Sequence, residues 1–361
     1  MYDQIRQDTI FMMLYAVVMT MALMASAYLL WRRGNAFSRR IKTPRRLRRW
    51  TAAFFGILAV SHMWYMPAML PDSGEEALLC LMIGALLDCL LTIPLALVVM
   101  LCMLQDRRRP LWPVAVLVAP LAVGMVACIV SRSDTLLPWL RGYFLLAGTG
   151  FTVYMVRAVR QYGRWLRDNY ADLEHKEVWQ SLLVLAVIVL MFGYYVSGDS
   201  GMAYEYIIQI CGMLLIGFLL WRVETLSDLT ITQPVVSEEI AGPMPDDIDR
   251  LLRERCEATQ LYLQRDLTVS QLAQALGINR FYLSQYFSRK DTTYNTYINE
   301  LRIAHFERLY REAVSAQRPV SAKQLAARSG YRSYSTFSLA FKQRTGLSVT
   351  AWMNAEGAQI E

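Results

Sequence analysis

Histidine is scarce in this chain, and the spacings that hold metals are missing. Its 361 residues include three histidines, His62, His175 and His305, and no H-E-x-x-H run. The six cysteines are Cys80, Cys89, Cys102, Cys128, Cys211 and Cys256. They form no C-x-x-C pair, and five of them lie inside apolar runs. That pattern excludes both a zinc-type site and a disulfide framework. No metal, no cofactor and no enzyme active site is expected. Charge is thin as well, at 19% of residues against 55% hydrophobic, a balance that excludes a single soluble enzyme domain. Where charge does occur it is segregated. Residues 32–49 hold nine Lys and Arg and no acid, whereas residues 223–249 hold seven acids and no base. The flanking stretches 1–222 and 250–361 each carry a net charge of +7.

What is present in the first 222 residues is a series of long apolar runs. Crossing the hydrocarbon core takes about 20 apolar residues, because no water there can satisfy a bare backbone. Seven runs qualify as spans: 9–31, 51–70, 77–104, 111–130, 136–156, 178–196 and 204–221. The first is too long for a signal-peptide core and lacks a basic leader, so it reads as a retained span. Arg141 interrupts the fifth run and must reach toward an interface. The loops alternate in charge. Residues 32–49, Arg107 to Arg109, and the group Arg157, Arg160, Arg164, Arg167 and Lys176 place 17 basic residues on one side, against three (Arg6, Arg132, Arg141) on the other. By the positive-inside rule, the N-terminus is expected outside and the C-terminus in the cytoplasm.

Three polar residues in these spans are candidates for reading a ligand or signal: Asp88, His62 and Glu205. Asp88 lies mid-span with Pro94 nearby to kink the helix, and an intramembrane carboxyl is a functional candidate by default. The plainer reading is a hydrogen-bonded interior Asp with a packing role. The basic loop 32–49 has the chemistry to meet anionic lipid headgroups, although topology alone explains it.

Residues 223–249 read as an acidic linker that Pro234, Pro243 and Pro245 keep from forming a long helix. Beyond it, short amphipathic helices succeed one another. In LTVSQLAQALGINRFYLSQYFSRK (267–290), Thr268 and Gln271 form a capping box. Leu272, Ala273, Ala275 and Leu276 form the expected buried side. Gly277 ends the helix, Ile278 plugs the turn and Asn279 caps a second helix, whose inner face is Leu283, Tyr286 and Phe287. The pattern recurs in VSAKQLAARSGYRSYSTFSLAFKQRTG (320–346). Ser321 and Gln324 are a second capping box, Leu325 and Ala326 answer Leu272 and Ala273, and Gly330 answers Gly277. Tyr331 answers Ile278, and Phe337 and Phe341 answer Leu283 and Phe287. An amphipathic helix around 301–313 joins the two.

Over residues 250–355 this arrangement resembles the AraC/XylS family of bacterial transcription regulators. The most specific part is Gly330-Tyr331, Ser335-Thr336-Phe337, Phe341-Lys342, Thr345-Gly346 and Val349-Thr350-Ala351-Trp352. The resemblance implies an all-α domain in which two helix-turn-helix units, held by a linker helix, enter successive major-groove segments. It places Arg280, Phe281, Ser284 and Gln285 of the first recognition helix at the groove, and Arg332, Tyr334, Ser335, Thr336 and Leu339 of the second. Gln can bond adenine bidentately, Arg can bond guanine, and apolar groups can meet the thymine methyl. Arg289, Lys290, Lys342 and Arg344 suit phosphates, which supply affinity without sequence reading. Two departures stand out. Leu339 replaces an Arg common in the family, and the first unit exits its recognition helix one residue early and without glycine.

The sequence thus implies an all-α chain: a seven-span transmembrane bundle over 1–222, a linker over 223–249, a cytoplasmic DNA-binding domain over 250–355, and a short tail over 356–361. The implied partners are double-stranded promoter DNA, the lipid bilayer, RNA polymerase and an unidentified small-molecule or envelope signal; a homodimer is compatible. A membrane enzyme or transporter with a regulatory tail is the alternative, as is a tail that binds protein.

Overall fold

A computed structural model of the chain describes residues 8–32, 35–36, 42–66, 74–133, 135–182, 185–186, 201–229, 247–319 and 321–360. Among these every regular element is helical, apart from one isolated bridge between Tyr170 and Thr268. The chain divides into two compact units. An apolar unit comprises Met1–Tyr162 and Val178–Thr230, and a C-terminal unit comprises Gly163–Glu177 and Ile231–Glu361.

The apolar unit contains α1 (Thr9–Trp31), α2 (Arg45–Tyr65), α3 (Gly74–Leu87), a π-helical turn (Asp88–Thr92), α4 (Ile93–Met103), α5 (Trp112–Ser131), α6 (Leu137–Asn169, whose last turns belong to the C-terminal unit) and α7 (Met202–Thr225). Five stretches are long and apolar enough to cross a membrane: Thr9–Trp31, Leu79–Met103, Trp112–Ser131, Leu137–Asn169 and Met202–Thr225. The expected second span corresponds to α2, whose opening RRLRR makes it too polar to join these five. Its basic residues therefore sit on a helix rather than in a loop. The expected sixth span falls mostly outside the described residues. Helix α6 runs 13 residues beyond the predicted end of the fifth span, so Arg157 to Arg167 also lie on helix.

Inside this unit α1 buries Phe11, Tyr15, Val18, Ala22, Ala25 and Leu29, a spacing of three and four that lines one helix face. Helix α2 meets that face closely, with Ser26 Oγ donating to the Ala52 carbonyl at 2.8 Å. Outward, large apolar side chains such as Val130 (80% exposed) and Trp139 (79%) are open, a surface suited to hydrocarbon rather than water. At one end of the unit the C-terminal end of α7 is bonded to the chain before α2 and after α4. Ala36 N–H donates to Glu224 at 2.7 Å, Asp228 N–H to the Lys42 carbonyl at 2.7 Å, and Gln105 bonds both Ser227 and Leu229. At the opposite end Tyr206, in the first turns of α7, donates to Asp8, the N-cap of α1. Ala36, Lys42, Gln105 and the C-terminal end of α7 thus meet at one end of the unit.

The C-terminal unit contains α8 (Ile248–Leu252), a π turn (Arg253–Glu257), a 3₁₀ turn (Leu261–Leu263), α9 (Val269–Leu276), α10 (Arg280–Arg289), α11 (Tyr294–Ser315), α12 (Ala322–Arg328), α13 (Tyr334–Thr345) and α14 (Val349–Ile360). Two cores lie along α11. Its Tyr294 and Ile298 complete the first with Leu272, Ala273, Leu276, Ile278, Leu283 and Phe287. Its Ile303, Phe306, Leu309 and Tyr310 complete the second with Leu325, Ala326, Tyr331, Phe337 and Phe341. Residues 230–246, most of the expected linker and its three prolines, lie outside the described residues. Helix α7 takes 223–225 from the linker's start.

Two local expectations are corrected. Ala275 is exposed, because the turn it occupies points away from the core that Leu272, Ala273 and Leu276 fill. The capping box at Thr268 and Gln271 is complete, whereas Ser321 caps α12 without a side-chain hydrogen bond. Ser321 is exposed, so water is at hand for the amides its hydroxyl does not reach.

Candidate nucleic-acid interface

Each half of the C-terminal unit builds a helix, a sharp turn and a second helix from local signals. In the first, Gly277 turns left-handed (φ +74°) and Asn279 Oδ1 accepts from the Phe281 amide at 2.8 Å, opening α10. In the second, Gly330 takes φ +87°, and Ser333 Oγ accepts from the Thr336 amide at 3.2 Å, opening α13. A Cβ at Gly330 would stand 2.7 Å from the Leu263 carbonyl oxygen, so glycine is needed there for space as well as for conformation. The missing glycine after α10 is replaced by Asp291, which adopts φ +50° where α13 ends on Gly346 at φ +75°.

Most of the residues singled out for DNA fall on these two helices, with Lys290 just after the first and Arg332 just before the second. On α10, Phe281 projects into solvent with 66% of its surface exposed, while Arg280, Ser284 and Gln285 are half-buried beside it. On α13, Leu339 is 62% exposed and Ser335 is exposed, while Thr336 and Tyr334 are half-buried. Tyr334 is partly committed to the core, its ring 5.9 Å from that of Phe337. Thr336 Oγ1 lies 2.9 Å from its own cap, Ser333 Oγ. Arg332 precedes α13 and pairs with Asp266 at 2.6 Å. Among the phosphate candidates, Arg289 and Lys342 are exposed, Lys290 pairs with Asp249 at 3.4 Å, and Arg344 pairs with Glu300 at 3.4 Å. Both exposed pairs are weak in water, so a phosphate can displace the carboxylate. Tyr286 hydroxyl also donates to Asp249, and that hydrogen bond holds the Asp249 carboxyl below its usual range.

Sequence reasoning missed Arg302. Midway along α11, it is fully buried and donates to the Tyr262 carbonyl (Nε, 2.7 Å) and the Gln264 carbonyl (2.8 Å). Its guanidinium also lies 5.5 Å from the Tyr331 ring. Arg302 thus joins the turn before α9 to the turn of the second half. Burial pulls its pKa down, opposed by the neighbouring tyrosines and by Asp172 and Asp266. A charged residue on an amphipathic helix reads from sequence as a solvated face; nothing local marks it as buried. His305, one turn on, bonds Tyr262 and Arg308 through Nδ1, and burial, with the Arg308 charge as the next cause, lowers its pKa.

The candidates of the apolar unit share one neighbour, Tyr15, which is in ring contact with His62 and within electrostatic range of Asp88 and Glu205. Asp88 opens the π turn and accepts three hydroxyls: Ser61 at 2.6 Å, Thr92 at 2.8 Å and Tyr65 at 2.8 Å. Gly84 leaves room for Tyr65, whose ring a Cβ there would meet at 2.7 Å. His62 bonds the Leu58 carbonyl through Nδ1 and Gln209 through Nε2, with the Tyr15 ring tilted against it at 4.8 Å. Glu205 lies half-buried in the first turn of α7. The hydrogen bonds of Asp88 and those of His62 go to different partners. Among the described residues, no three His, Cys, Asp or Glu side chains gather as metal ligands would.

In comparison with known proteins, residues 272–355 match a family model described as a helix-turn-helix domain. Neither a curated protein nor a solved structure matches the chain. The matched stretch takes in most of α9 and everything from α10 into α14, which are the elements that carry the two turns and both recognition helices. That match supports an AraC-family DNA-binding domain over this part of the chain, of the kind found in transcription regulators.

Proposed function

We propose that the chain is a membrane-tethered, one-component transcription regulator. Its apolar unit spans the bacterial inner membrane and senses a signal there, and its C-terminal unit binds promoter DNA in the cytoplasm. The observation that carries this reading is the pairing, in one chain, of two helix-turn-helix halves on a shared helix with a unit rich in apolar helices of spanning length. The bonding of Ala36 and Lys42, from the Lys- and Arg-rich segment, to the end of α7 supports a cytoplasmic placement for the chain beyond α7. Arg280, Phe281, Ser284 and Gln285 read one major-groove segment, and Arg332, Tyr334, Ser335, Thr336 and Leu339 read the next. Arg289 and Lys342 hold phosphates. Both reading helices belong to one chain, so a monomer suffices for two half-sites, and a homodimer would double them. RNA polymerase is the partner through which binding would alter transcription. Asp88, with His62 and Glu205 as further polar groups, is where a signal is read: Asp88 stands at a π turn, and such turns are common at functional positions in helices.

The test is selection of binding sites from a randomised duplex pool by the full-length protein in lipid nanodiscs, with a salt series on the recovered duplexes. A recurring motif whose affinity falls steeply with salt is the expected result, with Gln285→Ala relaxing one position of the motif. Binding that is sequence-blind would overturn the reading.

A further inference from the structure

Residues 163–177 come after the apolar part of α6 in sequence, yet they belong to the C-terminal unit. They are held there by specific bonds. Tyr170 forms an antiparallel bridge with Thr268, and the Ala171 amide donates to the Leu267 carbonyl at 3.2 Å. Asn295, at the start of α11, donates through Nδ2 to the carbonyls of both Tyr170 (3.1 Å) and Ala171 (2.8 Å). The Ala171 methyl is buried in the core of the first half. Asp172 and Lys176 are buried too, with Lys176 Nζ donating to the Asp172 carbonyl at 2.7 Å and lying 3.9 Å from Asp266.

This strap reaches the second recognition helix. Glu174 Oε2 accepts from Thr336 Oγ1 at 3.4 Å, and Asp266, the partner of Lys176, accepts from Arg332 at 2.6 Å. Thr336 and Arg332 are two of the groups assigned to DNA, and both stand at the N-terminal end of α13, where amides and dipole favour a phosphate. With the strap in place, the Glu174 carboxylate occupies that position. A phosphate and Glu174 cannot share Thr336, and the added acid beside the helix start repels the DNA backbone.

We infer that residues 163–177 are an internal ligand of the DNA-binding unit, docked against α9 and α11 so that Glu174 holds Thr336, at the start of the second recognition helix, off DNA until the strap is released. The inference rests on the DNA-binding reading above. Because the strap is continuous in sequence with α6, a change in the apolar unit has a covalent route to it.

The test compares the full-length protein in nanodiscs with Asn295→Ala, which removes both side-chain bonds to the strap without touching either recognition helix. The probe is the randomised duplex pool, fluorescently labelled. A second variant, Ala171→Cys, reports docking through its labelling by a water-soluble maleimide, quantified by peptide mapping. Asn295→Ala is expected to bind duplex about tenfold more tightly, within the usual range of coupling between sites. Ala171→Cys is expected to be protected without DNA and labelled quickly wherever duplex is bound. A wild-type protein that binds nothing while Asn295→Ala binds would support the same conclusion. Equal binding by wild type and Asn295→Ala, or labelling of Ala171→Cys that duplex does not change, overturns the strap and leaves the regulator reading standing. If neither protein binds any duplex, both readings fall, and protection of Ala171→Cys would then show the docking to be purely structural.

Discussion

The first helix-turn-helix half opens α9 on a complete capping box, in which Thr268 and Gln271 satisfy each other's amides. The second opens α12 on Ser321, whose hydroxyl makes no such bond. At the far end the halves differ in the opposite sense. Helix α13 ends on Gly346, which takes a left-handed conformation freely, whereas the chain leaves α10 through Asp291 in that same conformation. The turn glycines also match in conformation but not in surroundings. A Cβ at Gly277 would meet only the flexible end of Arg255, at 3.3 Å, while one at Gly330 would press on the backbone of Leu263. Similar sequence grammar therefore rests on different supports in each half. The second half is bound to the rest of the unit at Gly330, where Leu263 and Arg302 converge.

The largest effect is expected from breaking that convergence. Arg302→Ala leaves the carbonyls of Tyr262 and Gln264 without donors and a void beside Tyr331; the loss should be about 3–5 kcal/mol. Hydrogen exchange at the core amides of α11 and α13 in the full-length protein would measure it, and protection unchanged in both cores would refute the account. The two turn glycines sharpen the comparison. Gly330→Ala should cost about 3 kcal/mol, because the methyl strikes backbone in addition to the conformational strain. Gly277→Ala should cost only about 1 kcal/mol, from strain alone. Equal losses at the two positions would show that the surroundings do not matter.

A pH effect is expected to be smaller. Burial and Arg308 hold the His305 pKa below its ordinary 6.5, so the folded state binds fewer protons than the unfolded chain just below that value. Stability is complete above pH 6.5 and declines as pH falls below it, until the folded-state value is passed. Exchange protection of α11 measured on either side of pH 6.5 should show the decline, and His305→Gln should flatten it. The smallest effect is a gain. Asp291→Gly should stabilise the first half by up to about 1 kcal/mol by relieving a left-handed Asp, as read by slower exchange in α10. No gain would mean that the Asp291 conformation carries little strain.

Much of the C-terminal unit was legible in sequence because its signals are local. Asn279 and Gly277 mark a turn within three residues, and the apolar positions of α9, α10 and α13 recur at helical spacing. Ala275 was misjudged because a four-residue cluster of apolar side chains spans more than one helix face. The missing bond at Ser321 shows that a capping pattern permits the bond without enforcing it. In the apolar unit the runs themselves were plain, whereas the surroundings of Asp88 were not. Ser61 and Tyr65 come to it from another helix, and only the packing of α2 against the turn brings them there.

Local sequence was enough for most of the C-terminal helices, the tandem turns, the apolar runs and the placement of most candidate DNA contacts on α10 and α13, since each of these depends on neighbours within a few positions. Tertiary structure alone decided which charges are buried and what they meet. Lys176 reads as one more topogenic base and Arg302 as a solvated face, yet both are enclosed. Asn295 lies 125 residues from Tyr170 and bonds its carbonyl, which no local pattern encodes. Such pairings depend on where the folded chain returns, and the energy that makes a buried charge tolerable comes from partners distant in sequence.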